Sequence, residues 1–321
     1  MKKTLIASAI AAATFVSAAN AADNLPEVYG NIQLVWAYQH VNNGGSVSGL
    51  YDNFSTIGFK HSHEIAPGIK GFMKAEMEFN ADDKRGSNGL DRLDEAYIGI
   101  EGEMFGKIWA GSDDSTYEAA VDEIYNYFEF ISQNIRGPYD TGEGDLVQYS
   151  SPSFGGLKLH GAVQVNGDGD KAGQKSYPYQ LAATFEMDMF EFALAMDSND
   201  GDYGYSSHGV NSSTNNENTY GVRASANMGD LRVTGQVQSR KDVGDLYGLF
   251  AKYSMGKTTF AAAYEFAEED ATNGVEVDVL SAQVLHNLSD NMYVYVEGHH
   301  SDSDQGGPDA RDVAIGAVYA F

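Results

Sequence analysis

The chain ends in RDVAIGAVYAF, residues 311–321, and the parity of these positions decides the fold. Val313, Ile315, Ala317, Tyr319 and Phe321 fall on one side, while the small residues Ala314, Gly316, Val318 and Ala320 fall on the other. A two-residue period is that of a β-strand, whose side chains alternate between faces. A chain that stops on an aromatic in mid-strand frays unless its last residues are held. The stretch therefore predicts a closing strand paired with another.

The same alternation recurs along the chain. In GNIQLVWAYQ, residues 30–39, Ile32, Leu34, Trp36 and Tyr38 share a face opposite Asn31, Gln33 and Ala37. In KGFMKAEMEF, residues 70–79, Met73, Ala75, Met77 and Phe79 oppose Lys70, Lys74, Glu76 and Glu78. NMYVYVEGHH (291–300), YGLFAKYSM (247–255) and TFAAAYEFA (259–267) repeat the theme. Alternation alone also fits a soluble sheet with one wet face, so the connections must decide. Short turns stand at APG (66–68), EMFG (103–106), PSFGG (152–156), NMGD (227–230), SMGK (254–257) and NLSDN (287–291). Long polar loops stand at 39–49, 80–89, 166–176, 198–218 and 301–311, each rich in Gly, Asn, Asp or Ser. Turns at one end and loops at the other predict an up-and-down meander of about sixteen strands from Glu27 to Phe321. In lipid the unpaired edge groups of an open meander cost several kcal/mol each. The sheet must close, with the last strand lying beside the first, near Val28. The fold class is all-β, a transmembrane β-barrel.

Bulk composition agrees. MKKTLIASAIAAATFVSAANA has a basic start, an apolar middle and Ala19 and Ala21 in an A-x-A arrangement, the pattern of a secretory leader at 1–21. The barrel domain is then 22–321. Losing Lys2 and Lys3 takes the net charge from −26 to about −28. Such a charge excludes nucleic acid as a partner, because phosphates demand basic surfaces. It suits a surface screened by salt. With no cysteine, stability rests on packing and hydrogen bonds.

Five stretches together resemble the Gram-negative general diffusion porins, closest to the Neisseria-like branch. They are YGNIQLVWAY (29–38), STIGFKHSHEIAPGIKGFMKAEMEF (55–79), DEAYIGIEGEMFGKIWAGSDDS (94–115), DLVQYSSPSFGGLKL (145–159) and the terminal Tyr319-x-Phe321. The resemblance spans the mature chain in order. It implies a homotrimer of sixteen-stranded barrels in the outer membrane, contacting lipid and lipopolysaccharide. It also implies that Tyr319 and Phe321 form a C-terminal signal, with Phe321 read by the barrel-assembly machinery, and that the long third loop folds into the pore. That loop is 112–145, the longest break in the alternation, and EAAVDEIYNYF within it has helix-like spacing at Ala119, Ile124 and Phe128.

A passive channel works by geometry and field, with no catalytic group and no cofactor. On the loop the candidate acids are Asp113, Asp114, Glu118, Asp122, Glu123 and Glu129. Parity turns Lys60, Lys70 and Lys74 inward on the wall, and Arg136 adds a cation at the loop's return. Acids facing bases make a transverse field worth about 1 kcal/mol per pair in water. Related porins often carry arginine in the second strand just before the Leu-Gly-Phe stretch, which reads Ile57-Gly58-Phe59 here, and in the sixth strand just before its tyrosine. Here those positions hold Thr56 and Gln148, which predicts a weak cation preference.

Rival readings rest on thinner signals. His61, His63, His299 and His300 lack a third metal partner, and the DGD, NDGD and SDSD stretches at 168–170, 199–202 and 301–304 lack the glutamate of a calcium loop, leaving weak divalent binding as the most they suggest. Trp36 and Trp109 read as interfacial girdle residues. A channel selective for a sugar, phosphate or organic acid needs an aromatic slide or an arginine cluster inside the pore, and parity reveals neither. An outer-membrane enzyme lacks any G-x-S-x-G elbow.

Overall fold

The computed structural model describes residues 25–42, 44–83, 89–130, 134–165, 177–200, 206–207, 210–211, 216–304 and 310–321. The expected leader at 1–21, the DGD motif at 168–170 and the end of the NDGD motif lie outside them. The first half of the wall is β1 (Glu27–Val41), β2 (Gly45–Asp52), β3 (Ser55–Ala66), β4 (Ile69–Phe79), β5 (Leu90–Gly102), β6 (Gly106–Ser112), β7 (Leu146–Ser150) and β8 (Leu157–Gln164). The second half is β9 (Tyr179–Met187), β10 (Phe190–Asp197), β13 (Thr219–Met228), β14 (Leu231–Arg240), β15 (Gly244–Met255), β16 (Thr258–Glu269), β17 (Glu276–Asn287), β18 (Met292–Ser303) and β19 (Ala310–Ala320). A two-stranded ribbon, β11 (Ser206–Ser207) with β12 (Val210–Asn211), stands apart between β10 and β13.

Neighbouring strands pair antiparallel in chain order, and β19 returns to pair with β1, so the sheet closes. Its 17 segments make sixteen staves, because β2 and β3 are one stave broken in two. Both lie against β1, β2 opposite Leu34–Val41 and β3 opposite Glu27–Asn31. At the break Phe54 takes a left-handed φ of 64°, and Asn53 turns into the lumen.

The opening stretch behaves as its parity predicts. Val313, Ile315, Tyr319 and Phe321 are exposed on the outside, while Ala314 and Val318 are buried inside. Phe321 is held by its own backbone, its N–H donating to Gly30 O and its C=O accepting from Gly30 N–H, both at 3.0 Å. The outer surface carries apolar side chains throughout, among them Ile32, Trp36, Leu181, Phe192, Leu249 and Leu280. The interior is instead rich in buried amides, with Gln33, Gln148, Gln164, Gln180, Gln236, Gln238 and Gln283 all shielded. Grease outside and hydrogen-bonding groups inside is the inverse of a soluble core.

One expected loop shortens. Residues 39–49 read as a long polar connection, yet β1 runs to Val41 and β2 starts at Gly45, with Val41 and Gly45 directly paired. Gly45 at φ 95° makes the tight reversal, and the serines and Val47 that follow pair across to β1. Polar composition marked a turn there, but the flanks have strand partners.

Small residues let large ones lie flat on the inner wall. Tyr295 on β18 lies across Gly316 on β19, where an added Cβ would sit 2.2 Å from the ring. Val35, Ala37, Tyr293, Ala314 and Val318 pack with Tyr295 into one cluster at the seam. Gly316→Ala is expected to expel the ring and destabilise the barrel by about 1–3 kcal/mol. Heat-induced loss of the compact band in detergent electrophoresis checks this, and an unchanged transition would show that the ring is not held there.

Candidate constriction site

Strands β6 and β7 are short, so the chain leaves the wall at Ser112, level with Ala96 in the middle of β5, rather than at a rim. The described residues of 113–130 and 134–145 therefore enter the barrel partway up. Two short helices follow, α1 (Thr116–Val121) and α2 (Glu123–Tyr127). The N-terminus of α1 is capped by Ser115 Oγ, which accepts from Glu118 N–H at 3.0 Å.

Hydrogen bonds trace the loop around the wall. Thr116 Oγ1 donates to Gln148 at 2.7 Å, Tyr117 N–H to Gln180 at 3.0 Å, and Gln238 Nε2 to Asp122 at 2.9 Å. At the tip, the N–H groups of Glu129 and Phe130 both donate to the Glu297 carboxylate on β18, each at 2.6 Å. Asn53 Nδ2 at the broken stave donates to Glu129 O at 3.1 Å. On the return, Asn134 donates to Glu265 at 2.8 Å, Thr219 Oγ1 to Pro138 O at 2.6 Å, and Arg240 pairs with Asp140 at 2.5 Å. Thr141 bonds Asp197 through both its N–H and its hydroxyl.

Apolar contacts follow the same path. Tyr117, Val121 and Tyr139 settle on Ala182, Ala193 and Ala195, while Ile124 and Phe128 pack against Phe250, Ala261 and Ala263. Ile135 packs against Leu246, Ala267, Val277 and Val279. Gly221 makes room for Tyr117, whose hydroxyl would lie 2.5 Å from a Cβ there. The expected burial of the loop's aromatics against the wall is what the structure shows, although Ala119 faces outward from it.

The loop covers the wall from β7 round to β18 and faces an uncovered arc made by β1 and β3–β6. The expected acids divide between two settings. Asp122, Glu129 and Glu118 are only 0%, 2% and 3% exposed. Asp122 accepts from Gln238, Gly137 N–H and Tyr139, Glu129 accepts from Tyr293, and Glu118 accepts from Tyr139. These three anchor the loop. Glu123 is half-buried and gripped by Arg223 at 2.7 Å and Arg232 at 2.7 Å. Asp113 takes the indole N–H of Trp109 at 2.6 Å and, with Asp114, borders the uncovered arc.

The expected cations also separate. Lys60 and Lys74 do point inward, Lys60 to Glu27 at 3.1 Å and Lys74 to Glu95 at 2.5 Å. Lys70 sits beside the turn at the rim, opposite Glu101, below the level of the loop. Arg136 lies against the Tyr139 ring at 4.4 Å and donates to Tyr139 O at 2.9 Å, so it braces the loop's return. Thr56 Oγ1 accepts from Asn31 at 2.9 Å, and Gln148 ties the loop's start to the wall through Thr116 and Asp114 O.

Several lumen residues escape the parity reading. Asp94 and Glu95 follow a register shift in which Glu76 pairs with Glu95 but Met77 pairs with Leu93, so a β-bulge at Asp94 breaks the two-residue count. Arg223 and Arg232 stand on inward positions of β13 and β14 and also bind Glu191. Trp109 faces the lumen rather than the girdle, since Ile108 and Ala110 take the outside, whereas Trp36 is exposed outside. Where parity reveals neither an aromatic slide nor an arginine cluster, the lumen holds an inward tryptophan and an arginine pair gripped by Glu123 and Glu191. Their signal was present in the alternation of Lys107 with Trp109 and of Arg223 with Ser225. Inward alanines and glycines on β9–β16 likewise mark where the loop docks. His61 and His63 stack on each other at 5.3 Å, and His299 is buried against Ser281. Among the described residues no group of three or more His, Asp or Glu could hold a metal ion.

Comparison with known proteins gives a consistent answer. A family model described as Gram-negative porin matches residues 7–320. A protein named monosaccharide porin from a Halomonas species is 30% identical over the full length of both chains, as is a major outer membrane protein of Halomonas elongata. Among solved structures, Salmonella typhi OmpF in complex with daunomycin superposes with a TM-score of 0.75 at 16% identity, covering 93% of this chain and 98% of that one. Mutants of the Rh. blastica porin give 0.64 at 14% identity, over 92% of this chain and all of that one.

The loop carboxyls titrate in a definite order. Burial, then the charges of Glu118 and Glu95, pushes the Asp114 carboxyl well above the usual carboxylate range, and burial also raises Asp113. Burial pushes Glu123 up too, but hydrogen bonds from Arg232 and the charges of Arg223 and Arg232 outweigh it and hold its pKa below the usual value. The Glu123 ion pairs are therefore fully formed above the ordinary carboxylate pKa and are lost only as pH falls through the depressed folded value. Acidification is expected to neutralise Asp114 and Asp113 first and weaken any cation preference while open-channel conductance still reports an intact loop. Selectivity and conductance recorded against pH would contradict this order if the two changed together.

Proposed function

This chain belongs to the Gram-negative porins, barrels of the outer membrane, and from that premise we propose a general diffusion channel with a weak preference for cations. Family and fold point to a channel rather than an enzyme. The observation that carries the preference is the charge of the uncovered arc. Six acids, Glu76, Glu78, Asp94 and Glu95 on the wall with Asp113 and Asp114 at the loop's start, outnumber the four cations Lys60, Lys74, Arg92 and Lys107, although Glu76, Glu78 and Glu95 are buried and two of them are paired, Glu95 with Lys74 and Glu78 with Arg92. Thr56 and Gln148 add no charge where relatives often have arginine. A hydrated cation crossing here meets fixed carboxylates whose field is focused by low-dielectric walls.

The mechanism needs no moving part. The docked loop narrows the lumen and sets a size limit, and the carboxylates of the arc raise the local cation concentration. The same proposal includes cleavage after Ala21 to leave 22–321, a homotrimer contacting lipid and lipopolysaccharide, and recognition of Phe321 during barrel assembly. An exposed aromatic terminus already seated in the ladder suits that last role.

A second reading, selectivity for a monosaccharide, draws on the cavity beneath the loop. It holds about 490 Å³, and its lining sets Tyr127 beside Asn126, Gln283, Asn287 and Ser254, with Glu118, Glu123 and Glu129 balanced by Arg223, Arg232 and Lys252. Such a set suits a neutral polyol. The relative named monosaccharide porin adds weight to it.

Planar-bilayer recording separates these readings. In a potassium chloride gradient the reversal potential is expected to give a potassium-to-chloride permeability ratio of roughly two to five, the factor that ~1 kcal/mol of field supplies. Asp113→Asn with Glu95→Gln is expected to bring that ratio towards unity. Chloride preference in the unmodified protein would refute the cation reading. Saturable block of the current by glucose, lost in Tyr127→Ala, would promote the sugar reading over it.

A further inference from the structure

Resting on the water-filled lumen of that reading but going beyond it, we propose that the uncovered arc holds a binding site for solutes bearing a quaternary ammonium group. The site is an aromatic cage that the Lys107 side chain fills when no solute is present.

The cage comes from three adjacent strands. The Lys107 ammonium lies 4.2 Å from the centre of the Trp109 ring, 4.9 Å from Phe72 and 5.3 Å from Tyr97. Each distance falls within the range of about 6 Å over which a cation is attracted to a ring face. A lysine on a polar wall has water available to it, yet this ammonium lodges among three ring faces, the geometry of a cation–π site.

The rings are set before any solute arrives. The Trp109 indole is fixed by its hydrogen bond to Asp113, and Phe72 meets Tyr97 edge to face at 6.2 Å and 78°. Gly99 is the floor. A Cβ there would come within 2.3 Å of Phe72 Cζ and 2.6 Å of Trp109 Cβ, so the rings rest on bare backbone. No other residue type permits this packing.

The chemistry of the guest follows from hydration. A primary ammonium has three N–H donors that aromatic faces cannot satisfy, so leaving water for the cage costs it hydrogen bonds. A trimethylammonium group has no donor to lose, and its methyl groups gain by burial against the rings. Lys107 competes only because it is tethered. Once displaced it has a place to go, since Glu101 is its cross-strand neighbour and also faces inward. A cavity of about 500 Å³ beside Lys107, where Glu64, Glu101 and Glu103 offset Lys70 and Lys158, gives room for the rest of the solute. Asp113 and Glu95 on the other side repel anions, which reserves the cage for cations.

Single-channel recording of the full protein with choline chloride against equimolar potassium chloride tests the assignment. Choline is expected to reduce the current saturably, and ammonium chloride is not. Lys107→Ala removes the tethered competitor and should lower the half-blocking choline concentration about tenfold, while Lys107→Arg, which keeps a resident cation, should leave it near the unmodified value. Adding Phe72→Leu to Lys107→Ala should raise it again by about tenfold. If that variant does not insert, Tyr97→Leu removes a different ring of the same cage. Equal choline block in Lys107→Ala and the unmodified protein, or undiminished block after a ring is removed, would overturn the proposal while leaving the channel reading intact. Absence of conductance steps in the unmodified protein would overturn the channel reading itself.

Discussion

Closure of the backbone ladder between β1 and β19 is the constraint from which the other features follow. A sheet in lipid cannot leave an edge, so its N–H and C=O groups must find partners within the chain. Eleven residue pairs from Asn31–Ala320 to Val41–Ala310 join the ends, and the Gly30–Phe321 exchange completes the seam. Closure fixes the circumference and leaves an interior too wide for wall side chains to fill. The described parts of the third loop, 113–130 and 134–145, occupy that interior, and their hold on the wall sets what remains open.

That hold combines two kinds of complementarity. Wall amides and carboxylates such as Gln180, Gln238, Glu265 and Glu297 face backbone and side-chain groups of the loop, each bond worth about 1 kcal/mol net. Between them, alanines and glycines of the wall receive Tyr117, Ile124 and Phe128. The loop is thereby packed like a domain core. Several acids that look like pore charges in the sequence are members of this packing instead.

The barrel was largely legible because period-two alternation survives single positions of noise. Val313 to Phe321 declared their outward face, and the unequal connections declared two unlike rims. Lys60 and Lys74 were found inward by the same count. The count failed where the backbone departs from regular pairing, at the bulge that turns Asp94 and at the break around Asn53 and Phe54. It could not separate Asp113 from Asp122, since burial of a loop carboxylate depends on which distant strand it meets, here β14 through Gln238. Trp109 was readable, because Lys107 and Trp109 share a parity, but a girdle was the commoner fate of tryptophan in barrels.

The broken stave joins these themes. Asn53 leaves the wall beside the seam, holds Glu129 O at the loop's tip and donates to Tyr295 at 3.2 Å, and Tyr295 in turn lies over Gly316. The tip is thus bolted to the staves that close the barrel, like a spoke fastened at the weld of its rim. A force that swings the spoke outward must also open the weld, so the aperture is mechanically fused to the integrity of the wall. Such a pore widens by coming apart, not by breathing.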